Sequence, residues 1–148
     1  MRIFLLPPFA TLACLIAMSA LNWQLPITTL IPSPLNWPGL VVVLLGLGLA
    51  QWHARLFKRL GTNIQTFEEP GELTTEGLFR RSRNPMYLGM LAMLVGAAWS
   101  FGTLSPWIGP VAFFALAQAW YVPIEEQALH AKFGDSYARY QAEVPRWL

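Results

Sequence analysis

The chain has 148 residues, 55% apolar and only 12% charged, with ten Lys and Arg against eight Asp and Glu and a formal net charge of +2 at pH 7. That length allows one domain rather than two, and a charged share roughly half that of an ordinary soluble domain excludes a conventional water-soluble fold. The single cysteine, Cys14, excludes an internal disulfide, and the basic residues lie beside apolar runs, where they suit anionic lipid head groups better than nucleic acid.

Residues 3–21 carry no charge and are long enough to cross a hydrocarbon core of ~30 Å at ~1.5 Å per residue, so they predict a first span. Arg2 and the small residues Ala17-Met18-Ser19-Ala20 also fit a secretory leader. Pro7 and Pro8 interrupt that run and further spans follow, which favours a membrane span. A second span is predicted over 37–57, with His53 and Arg55 near its exit, and Gly46 and Gly48 read as close helix packing. The stretch 58–85 is far longer than the usual 2–8-residue helix connection. It carries turn signals at Gly61-Thr62-Asn63 and Glu69-Pro70-Gly71, and its length predicts a functional covering loop.

Pro85 starts a third span over 86–101, short for a bilayer, in which Gly89, Ala92 and Gly96 predict close helix contact. A fourth span is predicted over 107–124. Near its end Pro123 lacks a backbone donor, which should leave the carbonyl near Ala119 unpaired or kinked away. Glu125 and Glu126 follow at the membrane boundary, where carboxylates are costly without a purpose. Beyond them Leu129, Phe133, Tyr137 and Tyr140 recur at steps of four, four and three, one face of a helix. Gly134-Asp135 predicts a break with Asp135 capping the next piece, so 125–148 reads as an amphipathic tail lying on the membrane or folded back over the spans.

Charge placement supports this division independently. Apart from Arg55 at the exit of the second span, every charge falls at the start, in 58–85 or in the tail, while the loops at 22–36 and 102–106 have none. Lys and Arg are retained on the cytoplasmic face, so both termini should be cytoplasmic. The expectation is therefore a single all-α domain over 1–148, an integral membrane bundle of about four transmembrane helices with a cytoplasmic loop and tail. His53 and His130 stand on different segments and no Cys–His spacing exists, so no metal site is expected. Nor does a glycine-rich dinucleotide fingerprint appear.

Gly77-Leu78-Phe79-Arg80-Arg81-Ser82-Arg83-Asn84-Pro85-Met86-Tyr87-Leu88-Gly89 resembles the G-x-x-x-x-x-R-[HN]-P-x-Y-x-G signature of the isoprenylcysteine carboxyl methyltransferase and phospholipid methyltransferase superfamily. Downstream, Glu125-Glu126, Leu129, Phe133-Gly134, Tyr137, Tyr140 and Val144-Pro145-Arg146 resemble its C-terminal pattern at the same spacings. The likeness runs over roughly residues 62–148 and is to short bacterial-type chains, which implies a bacterial inner membrane. It implies methyl transfer from S-adenosylmethionine to a lipophilic acceptor at the cytoplasmic membrane face. The positions it implies for cofactor binding are Arg83, Asn84, Pro85, Tyr87, Gly89, Glu125, Glu126, Tyr137 and Tyr140, with Arg146 also matched. Arg83, Asn84 and Glu126 carry the implied catalysis.

Two departures stand out. Asn84 replaces the histidine of the eukaryotic isoprenylcysteine enzymes, and Trp120-Tyr121-Val122-Pro123 replaces their basic residues ahead of the acidic pair. The competing readings are a membrane reductase using a nicotinamide cofactor, as in lipid and sterol reductases with a distantly similar C-terminal hairpin, and a non-catalytic membrane scaffold. If the methyl acceptor enters sideways from the bilayer, the apolar lining of its route would be Met86, Met90, Met93, Phe113 and Phe114.

Overall fold

Proline opens each of the first three helices, where its missing N–H has no intrahelical partner to lose. In the computed structural model, which describes residues 6–59 and 73–148, these are α1 (Pro7–Gln24), α2 (Pro38–Arg59) and α3 (Pro85–Phe101). Pro7 and Pro8 thus begin α1 rather than interrupt it, and the expected start at residue 3 lies outside the described residues. Then come α4 (Ile108–Leu116), α5 (Val122–Phe133) and α6 (Asp135–Glu143). Among the described residues the chain is helical, with β pairing limited to an isolated bridge between Thr29 and Thr103.

The closest packing joins α2 and α3. A Cβ on Gly39 would lie 2.6 Å from the Gly96 carbonyl oxygen, and one on Gly46 2.6 Å from that of Gly89. The two antiparallel helices therefore meet backbone to backbone at two levels seven residues apart, as small residues permit in an apolar surrounding. Gly48 takes no part, since a Cβ there meets nothing within 4 Å. Outward, α2 exposes Val41, Leu44, Leu45 and Trp52. A helix so apolar and so uncovered is one that faces lipid.

The expected four spans are not equally supported by length. Pro38–Leu56 and the continuous rod Ser105–Phe133 are long and apolar enough to cross a membrane; α3 is apolar but has 17 residues, ~25 Å at ~1.5 Å per residue, short of a ~30 Å core. The helix of the expected fourth span continues beyond residue 124. It passes through a π turn at Ala117–Tyr121, in which the Val122 N–H reaches the Ala117 carbonyl, and continues through Pro123 to Phe133. The wider turn absorbs the register change that a proline imposes near the carbonyl expected to be unpaired or kinked away, so the helix runs on.

Gly134 ends α5 at φ +48°, a conformation costly for any side chain, and it also takes the N-cap position of α6. Asp135, expected as the cap, is instead the first helical residue, where its charge still favours the helix N-terminus. Leu129 and Phe133 of α5 consequently meet Tyr137, Tyr140 and Val144 across a turn rather than along one helix.

The two charge-free loops bind each other. Gly102 accepts from the Leu30 and Ile31 amides, Leu104 donates to Thr28, and the Thr103 hydroxyl reaches Asn22 at 2.6 Å. They close one end of the bundle. The opposite end gathers the start of α3, the α5 carboxylates, α6 and the segment after it. The expected covering loop at 58–85 falls largely outside the described residues; its last part forms a 3-10 turn at Gly77–Arg80.

Candidate functional site

Three segments far apart in sequence are tied together at the charged end. The segment after α6 runs against residues 82–84: the Arg83 amide donates to the Pro145 carbonyl at 3.0 Å, and the Asn84 amide side chain to the Arg146 carbonyl at 2.9 Å. Ser82, fully buried, donates to the same Arg146 carbonyl and accepts from the Asn84 backbone N–H. Further along, the Trp147 indole donates to Gln118 in the π turn at 2.8 Å.

This strapping brings Arg146 and Arg83 onto one carboxylate. Glu126 accepts from Arg83 Nη1 at 2.8 Å and from Arg146 Nε and Nη2 at 3.1 and 2.5 Å. Arg83 and Glu126 side chains are only 12% and 13% exposed, and Arg146 is 30% exposed. Such charge-assisted bonds are the strong class, and three on one carboxylate fix its orientation. The hydrogen bond to Glu126 raises the Arg146 guanidinium above its usual value, so it stays charged. Two cations on one anion leave a positive surplus. Among the described residues the buried Arg83 Nε has no hydrogen-bond partner, although buried donors normally find one.

Around this triad lie the phenols of α6. Tyr137 approaches Arg83 at 3.4 Å, and burial raises its pKa, partly offset by that contact. Tyr140 stands one layer out, donating to the Phe79 carbonyl at 2.7 Å, with its pKa raised by burial. On the inner side, Tyr87 of α3 donates to Glu125 Oε1 at 2.7 Å. It is 5% exposed and stacks on Tyr121 at 6.0 Å between ring centroids. It belongs to the core, not to an interfacial aromatic belt.

The sequence candidates therefore separate. Arg83, Glu126, Tyr137 and Arg146 form the triad and its rim, with Glu125 and Tyr87 adjoining. Asn84 holds the strap, and Pro85 is buried at the start of α3. Gly89 does not join them: it faces α2, where an added Cβ would lie 2.8 Å from the Ala50 nitrogen, so its place is in the helix contact. Of the apolar residues expected along a lateral route, Met90 and Phe113 are packed in the core. Phe114 is 41% exposed and sits 5.1 Å from the Trp147 ring. Sequence reasoning missed Ser82 and Gln118. Ser82 stands among Arg80, Arg81 and Arg83, which dominate that run, and nothing in the local pattern marks Gln118.

Residues 35–136 match the phospholipid methyltransferase family. The chain belongs to that family. As a phospholipid methyltransferase family member it is similar, at 36% identity over 63 residues, to an uncharacterized protein of Haemophilus influenzae, covering 43% of this chain and all of that one. It is also similar to protein-S-isoprenylcysteine O-methyltransferase B of Arabidopsis thaliana, at 33% identity over 84 residues. That match covers 53% of this chain and spans only 40% of the plant protein. No solved structure matches. The family, the plant relative and the apolar helices together support a membrane methyltransferase.

Proposed function

We propose that the protein transfers a methyl group from S-adenosylmethionine to a lipophilic acceptor at the charged end of the bundle, which we assign to the cytoplasmic face of a bacterial inner membrane with both termini on that side. The observation that carries this reading is the convergence of Arg83 and Arg146 on Glu126, which joins the two motif halves into one polar site beside an apolar core. The paired charge-free loops at the far end support four crossings, with α1 and α3 accommodated by flanking residues or local thinning of the bilayer.

The donor set suits this cofactor. A carboxylate would be taken by the cationic surplus of Arg83 and Arg146, and the buried Arg83 Nε offers an unused N–H for it. An ammonium or ribose hydroxyl would find acceptors in Glu125 and Glu126, and Tyr137 adds a phenol that stays neutral because burial raises its pKa. Bound there, S-adenosylmethionine would supply an activated methyl on a sulfonium centre. The chain itself supplies orientation, worth up to several kcal/mol of barrier, and the strap at 144–147 limits water around the site.

Thermal unfolding in detergent with S-adenosylhomocysteine or a reduced nicotinamide tests this directly. A saturating ligand at ~100 times its Kd adds about 2.7 kcal/mol of stability. S-adenosylhomocysteine should raise the melting temperature of the parent and not of Arg83→Met, whereas a shift with the nicotinamide alone would point to a reductase.

A further inference from the structure

A second polar opening lies beside α6. Tyr140 is buried and donates to the Phe79 carbonyl at 2.7 Å, which pins α6 against the 3-10 turn at Gly77–Arg80. The residues next to those two partners, Arg139 and Arg80, then stand on the two walls of one open cleft of about 570 Å³. Ser136, Arg139 and Glu143 recur at steps of three and four, so α6 supplies its wall from a single helix face. None of Arg83, Glu126, Tyr137 and Arg146 lines this cleft, so it is separate from the site proposed for methyl transfer.

The charge around the cleft is unbalanced. Arg80 and Arg139 are exposed, and neither makes an ion pair among the described residues. Glu143 is the lining carboxylate, seven residues or ~10 Å along the helix from Ser136. Ser136 lies in the first turn of α6, where the helix dipole favours an anion. Asp135 shares that turn but does not line the cleft. Two guanidiniums on opposite walls with a hydroxyl between them suit a tetrahedral group with several acceptor oxygens, which a phosphate offers and a planar carboxylate does not. The opening also lies within the ~300–1,000 Å³ range of small-molecule sites, more than a bare phosphate ion fills. Leu73 and Val144 give it an apolar border.

We propose that this cleft binds the phosphate of an anionic glycerophospholipid, clamped by Arg80 and Arg139 from the two walls, with the Ser136 hydroxyl donating to it. Glu143 repels the phosphate from its own end and accepts from the head-group hydroxyls, which fixes the orientation. The lipid is a bound anchor rather than a methyl acceptor. It holds α6, and the strap that follows it, against the membrane surface. This assignment stands apart from the methyl-transfer reading, and its test needs no turnover.

The test titrates the full chain in a neutral maltoside detergent with dioleoyl phosphatidylglycerol or dioleoyl phosphatidylcholine and counts bound lipid by native mass spectrometry. The parent should retain one phosphatidylglycerol in preference to phosphatidylcholine. The double variant Arg80→Gln/Arg139→Gln should lose about tenfold or more of that affinity, the scale of one charge-assisted hydrogen bond. Both side chains are exposed, so it should melt within about 3 °C of the parent. Each single variant should show part of the same loss, which keeps the test readable if the double variant does not fold. Arg81→Gln removes an equal charge from the same basic run, outside the cleft, and should bind like the parent. An equal loss in Arg81→Gln, or equal retention of the two lipids, would reduce the effect to general attraction and overturn the site. Displacement of the lipid by glycerol 3-phosphate at matched concentration would make the ligand a soluble phosphate and overturn the lipid assignment. Loss of S-adenosylhomocysteine binding in the double variant would make the cleft part of the cofactor's site and overturn it too.

Discussion

Glu126→Gln removes the charge on which two arginines converge while keeping the side chain's size. The carboxylate accepts three bonds, and the amide keeps one carbonyl oxygen and turns an NH₂ toward a guanidinium. Breaking a buried pair from one side costs about 3–5 kcal/mol. Arg146 is 30% exposed, so its share falls toward the ~0.2–1 kcal/mol of an exposed pair. The combined loss should be about 2–4 kcal/mol, or roughly 5–12 °C in melting temperature for a chain of this length. Thermal unfolding in one detergent would be measured for Glu126→Gln, Arg146→Met and the double variant. Because the two side chains touch, the cycle should show a coupling of about 0.5–1 kcal/mol. Additivity within ~0.5 kcal/mol would refute the idea that the triad latches the strap to the bundle.

Other outcomes follow from single contacts. Gly46→Leu should abolish folded protein, because even its Cβ would lie 2.5 Å from the Met93 nitrogen, whereas Gly48→Ala should fold like the parent; gel filtration of both variants checks this. Burial raises the pKa of Tyr137 and Tyr140 above the ordinary phenol value. The unfolded chain therefore releases these protons first, from about pH 10 upward. Their contribution is fully present below that pH and lost above it, so melting temperature should fall steeply past about pH 10, and less steeply in Tyr140→Phe. Cysteines placed at Trp23 and Leu104, both exposed, should react with an impermeant maleimide from the periplasmic side only; labelling from the cytoplasmic side would reverse the topology.

Much of this arrangement is legible in residue type and spacing. Apolar run length marks α2 and the first part of the 105–133 rod, and the glycines of α2 and α3 mark where those two helices meet. The motif halves identify most of the polar site, because Arg83, Glu126 and Arg146 are charges that an apolar chain keeps only where they are paired. Three things lay beyond such reading. The π turn at Ala117–Tyr121 depends on how Pro123 is accommodated, and proline alone predicts only that something must yield. Gly89 carries two readings in sequence, a motif position and a helix contact, and only the structure assigns it to the second. The division between Glu125 and Glu126 needs the rotation of α5, which adjacent identical residues cannot report.

Transfer of labelled methyl from S-adenosylmethionine by the purified protein, supplied with a lipid extract in nanodiscs, tests the central claim most directly. Label should appear in an organic-soluble product with the parent protein and fall to background with Arg83→Met. Normal cofactor binding accompanied by no labelled lipid product, or label confined to water-soluble acceptors, would contradict the assignment of a lipophilic acceptor to this site.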